Sequence, residues 1–242
     1  MTQQHLTYRP LPGTRLNMAH PLAEGLVLCM NFNEQGSRVM DLSPSGAHGR
    51  LIGFGSPAKR HIQGLDFDST IPSYGEIPAV FTQLDFTSED FSVIARVRVD
   101  DLTATRQIVS RGASNVDGYH CYIAANGSFN INTSQGAAFQ ETRSSLGAIA
   151  TAAWYTVGFS RSGASIIACI NGVADTAIAG IHINPLTSPK AFRIAIYSDA
   201  ASNPFDGKME FLRVFRGIAL TEAQHKAIHE QPNAPYGYPL FI

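Results

Sequence analysis

Three groupings of side chains in this sequence are of types that carry chemistry. Asp66-Phe67-Asp68 sets two carboxylates on one side of an extended segment, and a pair of carboxylates is what a glycosidase uses as acid and nucleophile. His225 and His229 stand four residues apart, so that on a helix both imidazoles face one way and could share a metal ion. Gly158-Phe159-Ser160-Arg161-Ser162 begins like the turn that exposes a nucleophilic serine. Each grouping lacks a part. Retaining hydrolysis needs carboxyl groups about 5–5.5 Å apart, as an E-x-D-x-x-E strand supplies, and the sequence has no such strand. Lys226-Ala227-Ile228 holds no glutamate to act as base between the histidines, which are expected on a solvated helix face. The serine run lacks its closing glycine, and Gly53-Phe54-Gly55 opens no helix that could hold a phosphate. The expectation is a chain that is not an enzyme, with glycoside hydrolysis through Asp66 and Asp68 as the catalytic alternative.

The elements that must position these residues are strands. Glycine and proline, 21 and 13 in number, punctuate short runs rich in Val, Ile, Phe and Thr along the whole chain. Phe91–Val99 alternates most clearly: Phe91, Val93, Ala95, Val97 and Val99 fall on one face, and Ser92, Arg96 and Arg98 on the other. The same period predicts strands over 25–32, 107–110, 119–124, 128–131, 154–160, 165–170, 192–196 and 209–215. Asn126-Gly127 and Asn171-Gly172 each supply two residues suited to positive φ, so each is expected to close a tight hairpin. Trp154, the single tryptophan, shares a face with Thr156 and Gly158 and is expected to have a structural role, its loss emptying a core site. Thr221-Glu222-Ala223-Gln224 has the form of a capping box, and Pro232 ends the run, which predicts one short C-terminal helix. The fold class is therefore all-β, a sandwich of two antiparallel sheets with one helix.

Composition narrows the function classes. The chain has 242 residues, a net charge of −1, 44% hydrophobic residues and 15% charged ones, which suits a domain with a sizeable core. Near-neutral charge removes the basic footprint of a nucleic-acid binder. No apolar run approaches the roughly 20 residues of a membrane-spanning helix, and the opening residues lack the pattern of a secretory signal, so folding in the cytoplasm is expected. Cys29, Cys121 and Cys169 are odd in number and sit in apolar runs, so they read as buried small hydrophobes.

A series of short motifs in order then carries a resemblance: Gly25-Leu26-Val27, Asn31-Phe32-Asn33-Glu34, Asp41-Leu42-Ser43, Gly46-Ala47-His48-Gly49, Leu65-Asp66-Phe67-Asp68, Phe91–Asp100, Ile108-Val109-Ser110-Arg111-Gly112, Gly118-Tyr119, Trp154-Tyr155, Asn171-Gly172-Val173 and Phe205-Asp206-Gly207. Together they resemble the laminin-G-like members of the concanavalin A-like lectin/glucanase superfamily over about residues 22–230. The resemblance implies a jelly roll of two stacked antiparallel sheets that binds glycans or proteins. In some relatives carboxylates around the positions of Asp41 and Glu210 hold a structural calcium ion, though the family usually has Asp where this chain has Glu210. Cys29-Met30 stands where many relatives have an aromatic pair, which weakens any sugar-stacking role for that strand.

Such folds place ligand contacts on their loops. The expected contacts are Tyr74, Tyr119 and Tyr197 stacking on a sugar ring, with Asn115, Asp117 and Asp199 accepting hydroxyl hydrogen bonds. Residues 1–21 and 232–242 read as extended Pro-rich arms flanking a domain at 22–231. Tyr236, Tyr238, Leu240 and Phe241 would be an odd apolar cluster to leave in water, so the C-terminal arm is expected to pack on its own domain or on a neighbouring subunit. The segments Leu11–Leu22 and Pro232–Phe241 look similar to the ends of phage- and prophage-encoded members. That likeness implies a virion protein, a capsid decoration or tail accessory assembled in the host cytoplasm. Its partners would be capsid or tail subunits, further copies of itself and a surface glycan, with no nucleic acid and no membrane. The alternative is a lectin-like domain of a cellular organism.

Overall fold

The computed structural model describes residues 14–33, 36–54, 60–61 and 64–236. Among them sixteen strands run in chain order as β1 (Leu26–Met30), β2 (Arg38–Val39), β3 (Gly49–Ile52), β4 (Arg60–His61), β5 (Gly64–Phe67), β6 (Tyr74–Ile77), β7 (Phe91–Val99), β8 (Arg106–Arg111), β9 (Tyr119–Ile123), β10 (Phe129–Ser134), β11 (Phe139–Arg143), β12 (Trp154–Ser162), β13 (Ser165–Ile170), β14 (Val173–Ala174), β15 (Phe192–Ile194) and β16 (Gly207–Arg216). They form two eight-stranded sheets. Sheet A has the order β14-β13-β12-β7-β16-β5-β4, with β1 also paired to β16, and sheet B the order β11-β10-β9-β8-β15-β6-β3-β2. All of these pairings are antiparallel.

The sheets face each other across one apolar core. Phe91, Val93, Ala95, Val97 and Val99 of β7 meet Tyr119, Cys121, Ile123, Phe129 and Ile131 of β9 and β10, as the period-two pattern requires. Phe86 stacks on Phe91 at 4.3 Å, and Phe159 meets Phe91 edge-on at 5.5 Å. All three cysteines are buried and free. The two-residue turn Asn171-Gly172 has φ of 52° and 79°, the double positive φ of a type I′ hairpin. Asn126-Gly127 departs from the expectation, because only Gly127 takes a positive φ (74°).

Sheet A is covered on its outer side as well. The helix α1 (Glu222–Glu230) starts at Thr221, whose hydroxyl accepts the Gln224 N–H while Gln224 Oε1 accepts the Thr221 N–H at 2.9 Å. With residues 14–23 and 232–236 it covers a second apolar cluster that includes Leu26, Cys29, Ile94, Phe211, Phe215 and Ile228. Two expectations are corrected by this layer. His225 and His229 do not face solvent: His225 is fully buried with Nε2 2.8 Å from Ser160 Oγ, and His229 Nδ1 lies 2.9 Å from Thr156 Oγ1. The helix can come this close because Gly158 lies beneath it, where a Cβ would sit 2.8 Å from the His225 ring. Trp154 does point to the same side as Thr156 and Gly158, but that is the outer side. It is half-buried there with the Arg96 guanidinium 5.8 Å from its ring centroid, so it fills no core site.

The terminal segments also turn out to be part of the domain as far as they are described. Asn17 donates its N–H to the Pro235 carbonyl at 2.7 Å, and Tyr236 is buried, its hydroxyl 3.0 Å from both Cys29 Sγ and Asn31 Oδ1. Tyr238, Leu240 and Phe241 lie outside the described residues.

Candidate functional site

Among the described residues no layer of strands or helix covers the outer face of sheet B, and its register writes one line of residues across that face. Directly paired residues in a sheet share a side, with Cα atoms about 4.5–5.5 Å apart. The pairs Arg38↔Arg50, Arg50↔Glu76, Glu76↔Arg193, Arg193↔Ser110, Ser110↔His120, His120↔Asn132 and Asn132↔Glu141 therefore form a single transverse row, one residue from each strand from β2 to β11. Tyr119, Cys121 and Ile123 point into the core, so His120 and Tyr122 point out.

The row has charged ends and a neutral middle. Glu76 pairs with Arg50 at 2.8 Å and Arg193 at 3.2 Å, and Glu141 accepts the Tyr122 hydroxyl at 2.9 Å. Between them lie Ser110, His120 and Asn132. His120 is only 6% exposed, and neither of its ring nitrogens has a hydrogen-bond partner. Burial pushes its pKa down to about 4, so the ring is neutral at pH 7 and holds one donor and one acceptor unused. Asn132 Oδ1, Ser134 Oγ and Ser198 Oγ are buried without partners too. The Tyr197 ring lies 5.3 Å and the Tyr122 ring 5.6 Å from His120, so the unused imidazole nitrogens sit beside two aromatic rings. Hydroxyl-rich rings are recognised by that combination of flat apolar surface and placed donors and acceptors.

The loop residues expected to bind ligand divide on inspection. Tyr197 and the Ala113–Asp117 turn are brought together, for the Tyr197 hydroxyl accepts the Ser114 N–H at 2.6 Å. Asn115, exposed at φ 62°, forms the tip of that turn. Asp117 is buried and spent within it, accepting the Ala113 N–H at 2.9 Å. Asp199 is exposed and caps its own loop, taking the N–H groups of Ala201 and Ser202. Tyr74 is on the outer face, but the register sets it toward the Arg106 end of β8, while Asn115 lies beyond the Arg111 end. Tyr119 is corrected outright: it is 1% exposed, packs on Phe86 and Phe91, and gives its hydroxyl to the Leu84 carbonyl at 2.9 Å. Its neighbours His120 and Tyr122, which sequence reasoning passed over, point to the outer face instead. The parity of Cys121 and Ile123 is the signal that could have found them.

The metal pair is also corrected. Asp41 is buried and saturated by donors of its own chain: the N–H groups of Cys29, Ser43 and Ala47 and the Ser43 hydroxyl. Glu210 is ion-paired with Arg96 at 2.8 Å. No three His, Cys, Asp or Glu residues among those described are grouped to hold a metal ion. Asp66 lies 3.5 Å from Lys208, and Asp68 is already past the end of β5, where it accepts from Thr70. A shallow groove of about 290 Å³ between Thr14–Met18 and Leu42–Pro44 lies on the sheet A side of the molecule, away from the row.

Two stacked antiparallel sheets with a polar, tyrosine-bearing outer face define a lectin-like jelly-roll sandwich. The laminin G family model described as "Concanavalin A-like lectin/glucanases superfamily" matches residues 73–224, and the chain belongs to that superfamily. No curated protein matches the sequence. Among solved structures, Trypanosoma rangeli sialidase in complex with sialic acid superposes with a TM-score of 0.64 at 13% identity, over 86% of this chain and 33% of that one. The binding domain of Paraclostridial Mosquitocidal Protein 1 gives 0.62 at 14% identity, over 87% and 53%. Domain 4 of AbnA, a GH43 extracellular arabinanase from Geobacillus stearothermophilus, in complex with arabinotriose, gives 0.56 at 19% identity, over 84% and 98%. The chain thus spans about a third of the length of the sialidase it matches. At these identities the likeness is one of fold.

Proposed function

We propose that this chain is a non-catalytic module that binds carbohydrate through the outer face of sheet B and is carried on a phage particle. The observation behind the binding assignment is the neutral centre of the transverse row, where His120 and Asn132 hold buried polar atoms with no partner and two tyrosine rings flank the imidazole. A similar fold in complex with arabinotriose, in the arabinanase domain, supports it. The absence of catalysis is argued from spacing. Glu76 and Glu141, the strand carboxylates of the row, are five strand steps apart, roughly 24 Å at about 4.8 Å per step. Glycosidases need their pair within about 5–9.5 Å. The phage setting rests on the likeness of Leu11–Leu22 and Pro232–Phe241 to the ends of phage-encoded relatives.

The test is a glycan array followed by isothermal titration with the protein and its His120→Ala and Asn132→Ala variants. Binding that both variants lose, with their melting curves intact, is the expected result. A folded protein that retains no glycan overturns the binding assignment, and glycan cleavage lost in Asp66→Asn or Asp68→Asn would establish the hydrolase alternative. For the particle, immunogold labelling of virions is expected to decorate capsid or tail, and unlabelled virions refute that part.

A further inference from the structure

The unpaired centre of the row is roofed by the chain itself. After β15 the backbone turns back over sheet B at Ala195, a non-glycine residue at φ 69°, and returns through Asn203 at φ 52°. Between these bends the loop is held together by its own bonds: Tyr197 N–H to the Ser202 carbonyl at 3.0 Å, Ala200 N–H to the Tyr197 carbonyl at 3.0 Å, and Asp199 to Ala201 and Ser202. Its ties to the sheet beneath are hydrogen bonds at its two ends and along its length: Ala195 N–H donates to the Ile108 carbonyl at 2.8 Å, Gln107 N–H to the Asn203 carbonyl at 3.1 Å, Ser110 Oγ to the Ile196 carbonyl at 3.0 Å, Arg193 to the Ser198 carbonyl, and Ser114 N–H to the Tyr197 hydroxyl. A unit with internal bonds, bent backbone at both ends and polar ties to the surface below is built to move as one piece.

What it covers is unsatisfied. Both nitrogens of His120, against which the Tyr197 ring lies, and Ser198 Oγ within the loop are buried without partners, as is Oδ1 of Asn132, the residue paired with His120 on the next strand. A buried polar atom left unpaired favours any rearrangement that gives it a partner. Tyr197 supplies the flat apolar surface but no hydrogen bond to these atoms. We propose that residues 196–203 form a lid over a subsite floored by Ser110, His120 and Asn132, and that Tyr197 holds the place of an uncharged, hydroxyl-rich sugar ring that enters when the lid lifts. This rests on the carbohydrate assignment above. It adds that the site is self-closed and that its centre takes a neutral sugar unit, since the row's charges at Arg193, Glu76 and Glu141 are already paired or hydrogen-bonded.

The latch is the Tyr197 hydroxyl, and Tyr197→Phe removes it while keeping the ring. Two readouts on the full chain separate the lid from the ligand. Diethylpyrocarbonate modification mapped by peptide mass reports access to His120, and titration with neutral oligosaccharides and with sialic acid, followed on the labelled His120 ring by NMR, reports occupancy. The expected results are a several-fold faster modification of His120 in Tyr197→Phe, protection of His120 by a neutral saccharide but not by sialic acid, and saccharide binding several-fold tighter in the variant. Saccharide binding that leaves the His120 resonances unmoved and is unchanged in Tyr197→Phe overturns the lid and leaves the carbohydrate function standing. Faster modification in the variant with no saccharide bound by either protein overturns the sugar as occupant, and with it the carbohydrate function.

Discussion

Acid is the perturbation to which this fold should be most sensitive, because three of its described histidines are buried and neutral. His120, His182 and His225 each have a pKa lowered to about 4 by burial. His182 is wedged between the hydroxyls of Thr133 and Thr142, each 2.8 Å from a ring nitrogen. In the unfolded chain a histidine titrates near pH 6.5. Between pH 6.5 and 4 the unfolded state therefore binds protons that the native state does not, and stability falls as the pH falls through that window. At pH 5 an unfolded histidine is about 97% protonated and a group titrating near pH 4 about 9%, a difference of about nine-tenths of a proton each. Integrated from pH 7 to pH 5 at about 1.36 kcal/mol per tenfold in proton affinity, each histidine costs about 1.8 kcal/mol and the three together about 5.5 kcal/mol. A domain with a total stability of about 5–15 kcal/mol loses a large share of it. Glu89 and Asp199, whose pKa values are lowered, release their contributions only at more acid pH, below the carboxylate range. The assay is urea unfolding at pH 7, 6 and 5, followed by Trp154 fluorescence, with His182→Gln and His225→Gln each expected to remove about a third of the pH dependence. A loss of less than about 1 kcal/mol between pH 7 and pH 5 would refute the reasoning.

Three further outcomes test the packing. Trp154→Ala should cost about 1–2 kcal/mol, well below the range of about 3–5 for an emptied core aromatic site, because the ring is half-buried under Arg96; thermal melts decide between the two. Gly158→Ala should cost about 1–3 kcal/mol by pressing on His225, and hydrogen exchange should show the α1 amides losing protection before those of β7. Tyr119→Phe should cost about 1 kcal/mol through the lost bond to Leu84 and leave saccharide affinity unchanged, whereas a loss of affinity would return Tyr119 to the binding face.

Local pattern carried the sandwich. Phe91–Val99 and Ser165–Ile170 run as strands over the bounds that their alternation predicts, and the capping box marks the start of α1. The outer layer was hidden because alternation assigns faces relative to one core. Ile94, Phe211 and Phe215 are apolar on the supposedly solvated side of sheet A, where the helix after β16 and the two terminal segments cover them. His225 was misread for the same reason: its partner Ser160 lies 65 residues away. The transverse row could not be read at all before the register was known, since its neighbours are as far apart along the chain as Arg193 and Ser110. At Tyr119 the aromatic side chain suggested a ligand contact, but two apolar residues of the same parity assign it to the interior.

The bond from Asn17 to the Pro235 carbonyl joins two points near opposite ends of the described chain, on the sheet A side. The polypeptide thus enters and leaves the sandwich at one corner, with the His120 row facing the other way. A domain wired like this is a cassette with a single stem. Spliced by that corner into a surface turn of another protein, the described residues would leave the flanking strands there together, and the His120 row would be the side turned away from the stem.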